Sequence, residues 1–181
     1  MPSKKPIRVA IAGASGYLGG ELLRLLLPRN DVKVTAIASQ SNEGKSLGDI
    51  HPHLAHISTL KFSGASPAQL AKENDAVFFA LPHGVSMDSV AQAAAANPKC
   101  KLIDLSGDFR LPEANVYEKY YKTTHQHPQL LKEAVYGLPE LSAGAKPGTP
   151  YADQRKKISS ARLISSPGCF STTSILAIRP F

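Results

Sequence analysis

Short runs of apolar residues alternate along the chain with segments in which apolar residues recur at helical spacing. The apolar runs have the length of buried strands and predict strands at residues 7–12, 32–38, 59–62, 75–81, 101–105 and 162–165. The helical pattern predicts helices at residues 17–27, 67–72, 84–96 and 171–178. Strands that alternate with helices are typical of a parallel sheet covered on both faces. We therefore predict an α/β fold, a Rossmann-like doubly wound parallel sheet.

Polar segments separate these elements. Residues 39–57 are predicted to form a loop, and residues 112–148 a loop with one helical turn at 117–121. Gly, Pro and charged residues dominate residues 142–157, which are therefore predicted to be an exposed loop or mobile linker. Ser66 is predicted to cap the second helix and Ser86 the third, because a serine hydroxyl accepts hydrogen bonds from the free N–H groups of a first helical turn.

A glycine-rich turn follows the first strand and opens the first helix. Gly13, Gly16 and Gly19 form the pattern G-x-x-G-x-x-G, a variant of the dinucleotide-binding fingerprint. The first glycine permits the tight turn, the second leaves room for a pyrophosphate, and the third lets the helix pack close to the sheet. The helix N-terminus offers free N–H groups and a partial positive charge to the phosphates. The sequence therefore predicts a dinucleotide site at this turn.

The end of the second strand indicates which dinucleotide binds. An NAD enzyme usually places Asp or Glu there, to bind the ribose 2′-hydroxyl. Here the strand ends in Ala38-Ser39-Gln40-Ser41, and Glu43 and Lys45 follow a few residues later. Hydroxyl groups and a nearby cation suit a 2′-phosphate, so NADP is the predicted cofactor. The alternative is a solvated loop from which Glu43 reaches back to the ribose.

Two more segments follow predicted strands at the carboxyl ends, where ligands bind in such folds. In Pro82-His83-Gly84, the histidine either contacts the nicotinamide or has only a structural role in the turn. In the stretch 104–110, the guanidinium of Arg110 is well suited to a substrate phosphate or carboxylate. The alternative is an arginine that pairs with Asp104 or Asp108 and only holds the loop.

Cys169 lies between the last strand and the last helix, in Ser166-Pro167-Gly168-Cys169. Gly168 allows a sharp turn, and the free N–H groups and dipole at a helix N-terminus stabilise a thiolate. Such a thiolate beside a dinucleotide site can form the thioester that hydride transfer requires, so Cys169 is the predicted catalytic nucleophile. The alternative is a buried cysteine that packs as a small hydrophobe, which is our interpretation of Cys100.

Composition argues against several other classes of protein. The net charge is +7, but Lys and Arg are scattered, and no basic stripe alternates with aromatic residues. Nucleic-acid binding is therefore not expected, and a site for phosphorylated small molecules accounts for part of the charge. No apolar segment approaches the roughly 20 residues of a membrane span, and no signal-peptide pattern is present. We expect a cytoplasmic protein without a membrane partner or a metal, whose two cysteines do not form a disulfide framework.

Six stretches occur in one order along the chain: GASGYLGGELLRLL, HPHL, ALPHG, DLSGDFRL, YGLPEL and SPGCFSTT. Together they resemble the N-acetyl-gamma-glutamyl-phosphate reductases of arginine biosynthesis. The chain is similar to the N-terminal dinucleotide-binding portion of these enzymes, extended to the catalytic cysteine. Reductases of a protein-carried aminoadipyl phosphate in lysine biosynthesis remain an alternative. Aspartate-semialdehyde dehydrogenases share the chemistry but resemble the chain less.

The resemblance implies a mechanism and a set of site residues. The thiolate of Cys169 would attack the acyl phosphate and expel phosphate, and hydride from NADPH would reduce the thioester to the semialdehyde. Arg110 would lie near the substrate phosphate, and Glu140 at the edge of the active site. The residues implied to contact the cofactor are Gly13, Ser15, Gly16, Tyr17, Gly19, Ser39, Ser41, Pro82, His83 and Gly84.

The chain departs from this family in two respects. The family usually has Gly-Cys-Tyr-Pro-Thr where this chain has Gly-Cys-Phe-Ser-Thr. Family members also continue into a substrate domain that supplies a histidine after the cysteine, whereas all six histidines here precede Cys169. We therefore expect an NADP-binding domain at residues 1–165, including loop 112–157, and the start of a truncated substrate domain at 166–181. The face of the sheet that would meet that domain is expected to be exposed, as an apolar patch that favours oligomerisation or aggregation.

Two hypotheses about function stay open. In the first, the chain is the cofactor-binding part of an enzyme that acts on a small-molecule acyl phosphate and forms a homo-oligomer at full length. In the second, it is an NADP-binding module that is inactive alone because the substrate domain is missing.

Overall fold

Strand pairing confirms the predicted α/β architecture. The computed structural model describes residues 5–142, 145, 148–149 and 151–178. The strands in this part of the chain are β1 (Ile7–Ala12), β2 (Val32–Ala38), β3 (Phe62–Ser63), β4 (Ala76–Phe79), β5 (Lys101–Asp104), β6 (Ala134–Tyr136) and β7 (Leu163–Ser165). They form one sheet in the order β3-β2-β1-β4-β5-β7-β6, and every neighbouring pair is parallel. The strand order therefore reverses between β1 and β4, which is where doubly wound sheets bind ligands.

Helices connect the strands and cover both faces of the sheet. The α-helices are α1 (Tyr17–Leu26), α2 (Leu47–Ile50), α3 (Pro67–Glu73), α4 (Ser86–Ala96), α5 (Ala114–Tyr121), α6 (Pro128–Leu131), α7 (Gln154–Ser160) and α8 (Cys169–Ile178). Short 3₁₀ helices occupy Gln40–Asn42, Pro52–Leu54 and Pro139–Ser142. Across the described residues, every helix is too short or too polar to cross a bilayer.

The core has two parts, one on each face of the sheet. Successive side chains of a strand point to opposite faces, so Ala10 of β1 packs in one part and Ile11 in the other. Leu23 of α1 packs with Ile11, whereas Leu70 of α3 and Val90 of α4 pack with Ala10. Burial on both faces explains why β1 is a continuous apolar run rather than an alternating one.

The predicted loops contain more regular structure than expected. Residues 39–57 include α2 and two 3₁₀ helices, and residues 112–148 include α5, α6 and strand β6. Strand β6 has only three residues and pairs with β7, so its formation depends on a distant partner rather than on a local pattern. The segment 142–157 contains the start of α7, while its residues 143, 144, 146, 147 and 150 lie outside the described residues.

Of the two predicted serine caps, one is confirmed and one is wrong. The Ser66 hydroxyl accepts from the N–H of Gln69, and the Gln69 side chain accepts from the N–H of Ser66. The residue that precedes the first turn of α4 is Val85 rather than Ser86. The Ser86 hydroxyl is buried and instead donates to the Asp104 carboxylate, with 2.5 Å between the oxygens.

Candidate functional site

The predicted site residues lie in loops that leave the carboxyl ends of β1, β2, β4, β5 and β7, or in the first turn of the helix that follows. In a parallel sheet these ends share one edge, which we call the carboxyl edge. The glycine turn follows β1, and the serines of the second loop follow β2. The segments that carry His83, Arg110 and Cys169 follow β4, β5 and β7. The fold therefore brings all of the predicted segments to one side of the molecule.

Packing requires two of the three glycines in the turn after β1. Gly13 has a φ of +76°, and a Cβ there would lie 2.8 Å from the carbonyl carbon of Ala80. A Cβ on Gly19 would lie 2.6 Å from the Cα of Ala14. At Gly16 the nearest atom would be the Gly13 oxygen, 3.8 Å away, so this position is open. The absence of a side chain at Gly16 is therefore not required by the protein's own packing, as expected of a position that faces a ligand.

A network of hydroxyl, amide and ammonium groups joins the glycine turn to the end of β2. The Ser15 and Ser39 hydroxyls are 2.9 Å apart, and the Ser39 and Ser41 hydroxyls 3.4 Å. The Asn42 amide donates to the Ser41 hydroxyl at 3.2 Å and accepts from the Lys45 ammonium at 3.0 Å. Asn42 was not predicted, because an asparagine in a loop carries no distinct sequence signal.

Glu43 lies apart from this network, although it follows Asn42 directly in sequence. A Cβ on Gly64, after β3, would lie only 2.7 Å from a carboxylate oxygen of Glu43. The carboxylate is therefore directed toward the β3 end of the sheet. This geometry does not favour the alternative in which Glu43 reaches back to the ribose.

His83 links the loop after β4 to the loop after β5. Its Nδ1 accepts from the Gly107 N–H at 2.8 Å, which places the ring proton of the neutral imidazole on Nε2. The ring packs against Tyr121, with 5.2 Å between centroids, and its side chain is 54% exposed. His83 thus has a structural role in the turn, which was one of its two predicted alternatives. Because its ring is also exposed, the other alternative, contact with the nicotinamide, stays a prediction.

Asp108 fixes the loop that contains Gly84. Its fully buried carboxylate accepts from the N–H groups of Gly84 at 3.0 Å and Met87 at 2.9 Å, and from the Tyr117 hydroxyl at 3.0 Å. A negative charge at the start of α4 also complements the helix dipole. Burial, reinforced by the Asp108 hydrogen bond, raises the pKa of Tyr117. Pro82 contributes its carbonyl, which accepts from the Ser86 N–H at 3.2 Å.

Asp104 is a second buried carboxylate at the end of β5. It accepts from the hydroxyls of Ser86 and Ser106 and from the Ser106 N–H. Burial raises the pKa of this carboxyl, and the serine hydrogen bonds oppose that increase. Neither buried aspartate pairs with Arg110, so the alternative of an Arg110–aspartate pair is wrong.

Arg110 connects the loop after β5 to the cysteine turn. Its Nε donates to the Ser166 carbonyl at 2.9 Å and its Nη2 to the Leu105 carbonyl at 3.1 Å. A Cβ on Gly168 would lie 3.0 Å from Nη1, so this end of the guanidinium lies against the residue before Cys169. Within the described residues, Nη1 donates to no protein acceptor. The guanidinium therefore holds the loop with two N–H groups and keeps donors free beside the cysteine.

The two cysteines have contrasting surroundings. Cys169 is the first residue of α8 and is exposed, so the alternative of a buried packing role is wrong for it. Cys100 is 1% exposed, and burial raises its thiol pKa to about 11. A thiol that is both buried and protonated is unreactive, which agrees with the structural role predicted for Cys100.

An open depression of about 470 Å³ surrounds the exposed cysteine. Its lining residues are Arg110, Leu111, Tyr121, Tyr136, Gly168, Cys169, Phe170 and Ser171. Sequence reasoning missed the two tyrosines, which come from α5 and β6. The Tyr136 hydroxyl is 3.4 Å from that of Ser171. Glu140 does not line the depression, and its Oε2 is buried without a hydrogen-bond partner among the described residues.

Helix α8 packs none of its residues into the core. Phe170 is 88% exposed, and Leu176 and Ile178 are exposed as well, although the helix is predominantly apolar. Tyr17, the first residue of α1, is 99% exposed. Exposed apolar side chains therefore follow Cys169 along α8.

Comparison with known proteins identifies the family. Residues 8–146 match the family model described as semialdehyde dehydrogenase, NAD binding domain. The chain is 44% identical over 174 residues to N-acetyl-gamma-glutamyl-phosphate reductase of Nitrosococcus oceani, which covers 96% of this chain and 47% of that protein. It is 43% identical to the LysW-L-2-aminoadipate/LysW-L-glutamate phosphate reductase of Sulfolobus acidocaldarius, with coverages of 96% and 46%. The chain thus spans about half the length of the curated relatives it matches.

Solved structures of aspartate semialdehyde dehydrogenases share the fold. The enzyme II from Vibrio cholerae, complexed with ASA, has a TM-score of 0.63 at 19% identity and covers 97% of this chain and 46% of its own. The enzyme from Candida albicans with NADP also has a TM-score of 0.63, at 14% identity, with coverages of 96% and 46%. The resemblance inferred from the six motifs is confirmed, and the matched family identifies a nicotinamide dinucleotide as the class of cofactor.

Proposed function

The chain belongs to the family of semialdehyde dehydrogenase NAD-binding domains, and on that premise we propose that it is the cofactor-binding part of an NADPH-dependent acyl-phosphate reductase. The observation that carries the proposal is the position of Cys169. Its exposed thiol begins α8 on the same carboxyl edge as the glycine turn. One edge therefore offers a nucleophile and a dinucleotide site, the two components that reduction through a thioester requires.

The residues of the glycine turn fit a dinucleotide. The opening at Gly16 lies at the N-terminus of α1, where backbone N–H groups and the helix dipole favour a pyrophosphate. Ser15 and Tyr17 flank this opening, and Tyr17 is almost fully exposed. When bound, the cofactor supplies the hydride. The role of this chain is to orient it between the turn after β1 and the loops that hold His83 and Gly84.

The network after β2 supports NADP rather than NAD. Ser39, Ser41 and Asn42 present hydroxyl and amide groups, and Lys45 adds a positive charge, while the Glu43 carboxylate is directed elsewhere. A 2′-phosphate would be stabilised by such donors and repelled by a carboxylate. The test is Ser39→Asp, which places a carboxylate next to Ser15. We expect the preference for NADPH over NADH, measured as a ratio of Kd values, to fall at least tenfold. An unchanged ratio would contradict this assignment.

The depression around Cys169 supports a substrate with a phosphate leaving group. The Cys169 thiolate would attack the acyl carbon of N-acetyl-gamma-glutamyl phosphate, and the carbon–oxygen bond to phosphate would break as the thioester forms. Arg110 Nη1, beside Gly168, would stabilise the phosphate that leaves. Hydride addition to the thioester would give a thiohemiacetal oxyanion, whose collapse would release N-acetylglutamate semialdehyde and restore the thiolate. His83, with its proton on Nε2, would donate toward the cofactor end of the site.

A second candidate substrate is the LysW-linked aminoadipyl phosphate. The observation that favours it is the Sulfolobus acidocaldarius relative, whose identity to this chain is within one percentage point of the Nitrosococcus oceani reductase. A third candidate is that residues 1–165 form an NADP-binding domain that binds the cofactor and turns over no substrate by itself. In each case the full-length protein would be a cytoplasmic homo-oligomer that acts on a small or protein-carried acyl phosphate, without nucleic-acid or membrane partners.

The proposal is tested by separating acylation from reduction. Purified chain is mixed with N-acetyl-gamma-glutamyl phosphate, and intact mass spectrometry follows an N-acetylglutamyl adduct on Cys169. We expect the adduct in the unsubstituted chain and not in Cys169→Ser, and its loss on addition of NADPH if the chain is competent for reduction. Adduct that persists with NADPH bound supports the inactive module. A chain that neither binds NADPH nor forms the adduct would refute the proposal.

A further inference from the structure

His51 lies buried beneath the glycine turn, in the HPHL motif that the proposed function leaves without a role. It is 7% exposed, and its Nε2 is 2.9 Å from the Ala14 carbonyl oxygen. A carbonyl oxygen can only accept, so Nε2 carries the ring proton and donates it. The imidazole therefore holds the backbone of the turn from below, across 37 residues of sequence.

The first helix is shaped to accept this ring. A Cβ on Gly20 would lie 2.7 Å from Cε1 and 2.8 Å from Nδ1 of His51, so the imidazole occupies the space that any side chain at position 20 would need. On another side the ring packs near Phe62, with 6.4 Å between centroids. Gly20 of α1 and Phe62 of β3 thus flank the ring in the orientation that reaches Ala14.

The hydrogen bond determines where the next amide points. The peptide bond between Ala14 and Ser15 is trans and planar, so its carbonyl and its N–H point in opposite directions. Because His51 holds the carbonyl inward, the Ser15 N–H is directed outward, toward the open side of the turn. That N–H donates to no acceptor among the described residues. Outward N–H groups that are fixed before the ligand arrives are the basis of an anion site at a helix N-terminus.

We propose that His51 is a positioning residue for the pyrophosphate of the cofactor, acting through the Ala14 carbonyl to keep the Ser15 N–H directed at the phosphates. This inference rests on the proposed dinucleotide function. It assigns to the pyrophosphate part of the site a residue that would act without touching the ligand. It also gives Gly20 a purpose distinct from that of the other glycines: it makes room for the imidazole.

The test compares two ligands and two substitutions. NADPH carries the pyrophosphate, whereas adenosine 2′-monophosphate carries the 2′-phosphate and adenine without it. His51→Leu removes the donor, and we expect the Kd for NADPH to rise at least tenfold while that for adenosine 2′-monophosphate changes less than twofold. His51→Gln retains an N–H donor, and we expect it to restore most of the NADPH affinity. A purely structural role would weaken both ligands alike and would not be rescued by glutamine.

Gly20→Ala provides a second route that leaves His51 in the chain. The new methyl group would displace the imidazole from Ala14, so we expect a loss of NADPH affinity similar to that of His51→Leu, and no further loss in the double variant His51→Ala with Gly20→Ala. Asn74→Ala is the matched control. Its buried amide donates to the Leu70 carbonyl at 2.8 Å, but at the amino edge of the sheet, so we expect lower stability with unchanged NADPH affinity.

The affinities of the variants distinguish the role of His51 from the proposed function. Equal weakening of both ligands, or unchanged NADPH affinity in folded His51→Leu and Gly20→Ala, would overturn the role of His51 and leave the proposed function standing. Failure of the unsubstituted chain to bind NADPH would overturn the proposed function and this inference with it. Circular dichroism of each variant shows whether it is folded.

Discussion

Replacement of Gly16 by valine tests whether this glycine, unlike Gly19, is required for the proposed cofactor rather than for packing. In the free protein a Cβ at this position meets no atom closer than 3.8 Å, and the backbone has φ −80° and ψ 171°, which a β-branched residue adopts readily. Neither crowding at Cβ nor backbone strain therefore opposes the substitution. We expect the free energy of unfolding to change by less than about 1 kcal/mol.

The effect on the cofactor is expected to be large. A phosphate oxygen must come within about 2.9 Å of a backbone N–H to accept a hydrogen bond, and the valine methyl groups would occupy that approach. A hydrogen bond that involves a charged group contributes about 1.5–3 kcal/mol. The loss of two such bonds between backbone N–H groups and phosphate oxygens would therefore cost at least about 3 kcal/mol. Since about 1.4 kcal/mol corresponds to a tenfold change in affinity, the Kd for NADPH should rise at least about 100-fold.

Gly19→Ala is the matched comparison. It also adds a side chain to a glycine of the turn, but we expect it to lower stability rather than NADPH affinity. Its Cβ would lie 2.6 Å from the Cα of Ala14, and overpacking of this kind costs about 1–3 kcal/mol of stability. NADPH fluorescence titration gives the affinity of each variant, and urea unfolding gives its stability. The reasoning is refuted if Gly16→Val binds NADPH within about threefold of the unsubstituted chain, or if it loses as much stability as Gly19→Ala.

Two other predictions use the contrasts within the site. Iodoacetamide should label Cys169 in the native chain and should reach Cys100 only in denaturant. The reason is that Cys100 is buried and its thiol pKa is raised to about 11. Peptide mass spectrometry that finds both cysteines labelled at equal rates would contradict the structure. Burial raises the pKa of Asp104 above its unfolded value of about 3.9, so the folded chain binds more protons than the unfolded chain between the two values, and stability falls as pH rises through that window. Asp104→Asn does not titrate, so its free energy of unfolding, measured in urea from about pH 4 to pH 7, should decline less with pH; parallel profiles for the two chains would show that Asp104 carries no such penalty.

Much of the fold follows from local pattern, because a strand buried on both faces must be apolar throughout and a surface helix must repeat every three to four residues. β1 and β2 have their predicted positions for this reason, and the Ser66 cap of α3 follows from the capping pattern around it. Strand β6 and helix α7 were not predicted. β6 is stabilised by its pairing with β7, and the Gln154 side chain at the start of α7 donates to the carbonyl of Tyr136, so both elements depend on partners far away in the sequence.

The sequence by itself determined which residues are proposed to do chemistry: a glycine turn predicted to bind phosphates, a second strand that ends without a carboxylate, and a cysteine at the start of a helix. These features are local, because each depends on residues within one turn of backbone. Only the tertiary structure decided which groups act on one another. His51 reaches Ala14 across 37 residues, Asp108 reaches Gly84 across 24, and Arg110 reaches Ser166 across 56. Such contacts form where the loops of a parallel sheet meet at one edge. The order of residues along the chain does not show which of these loops contact one another.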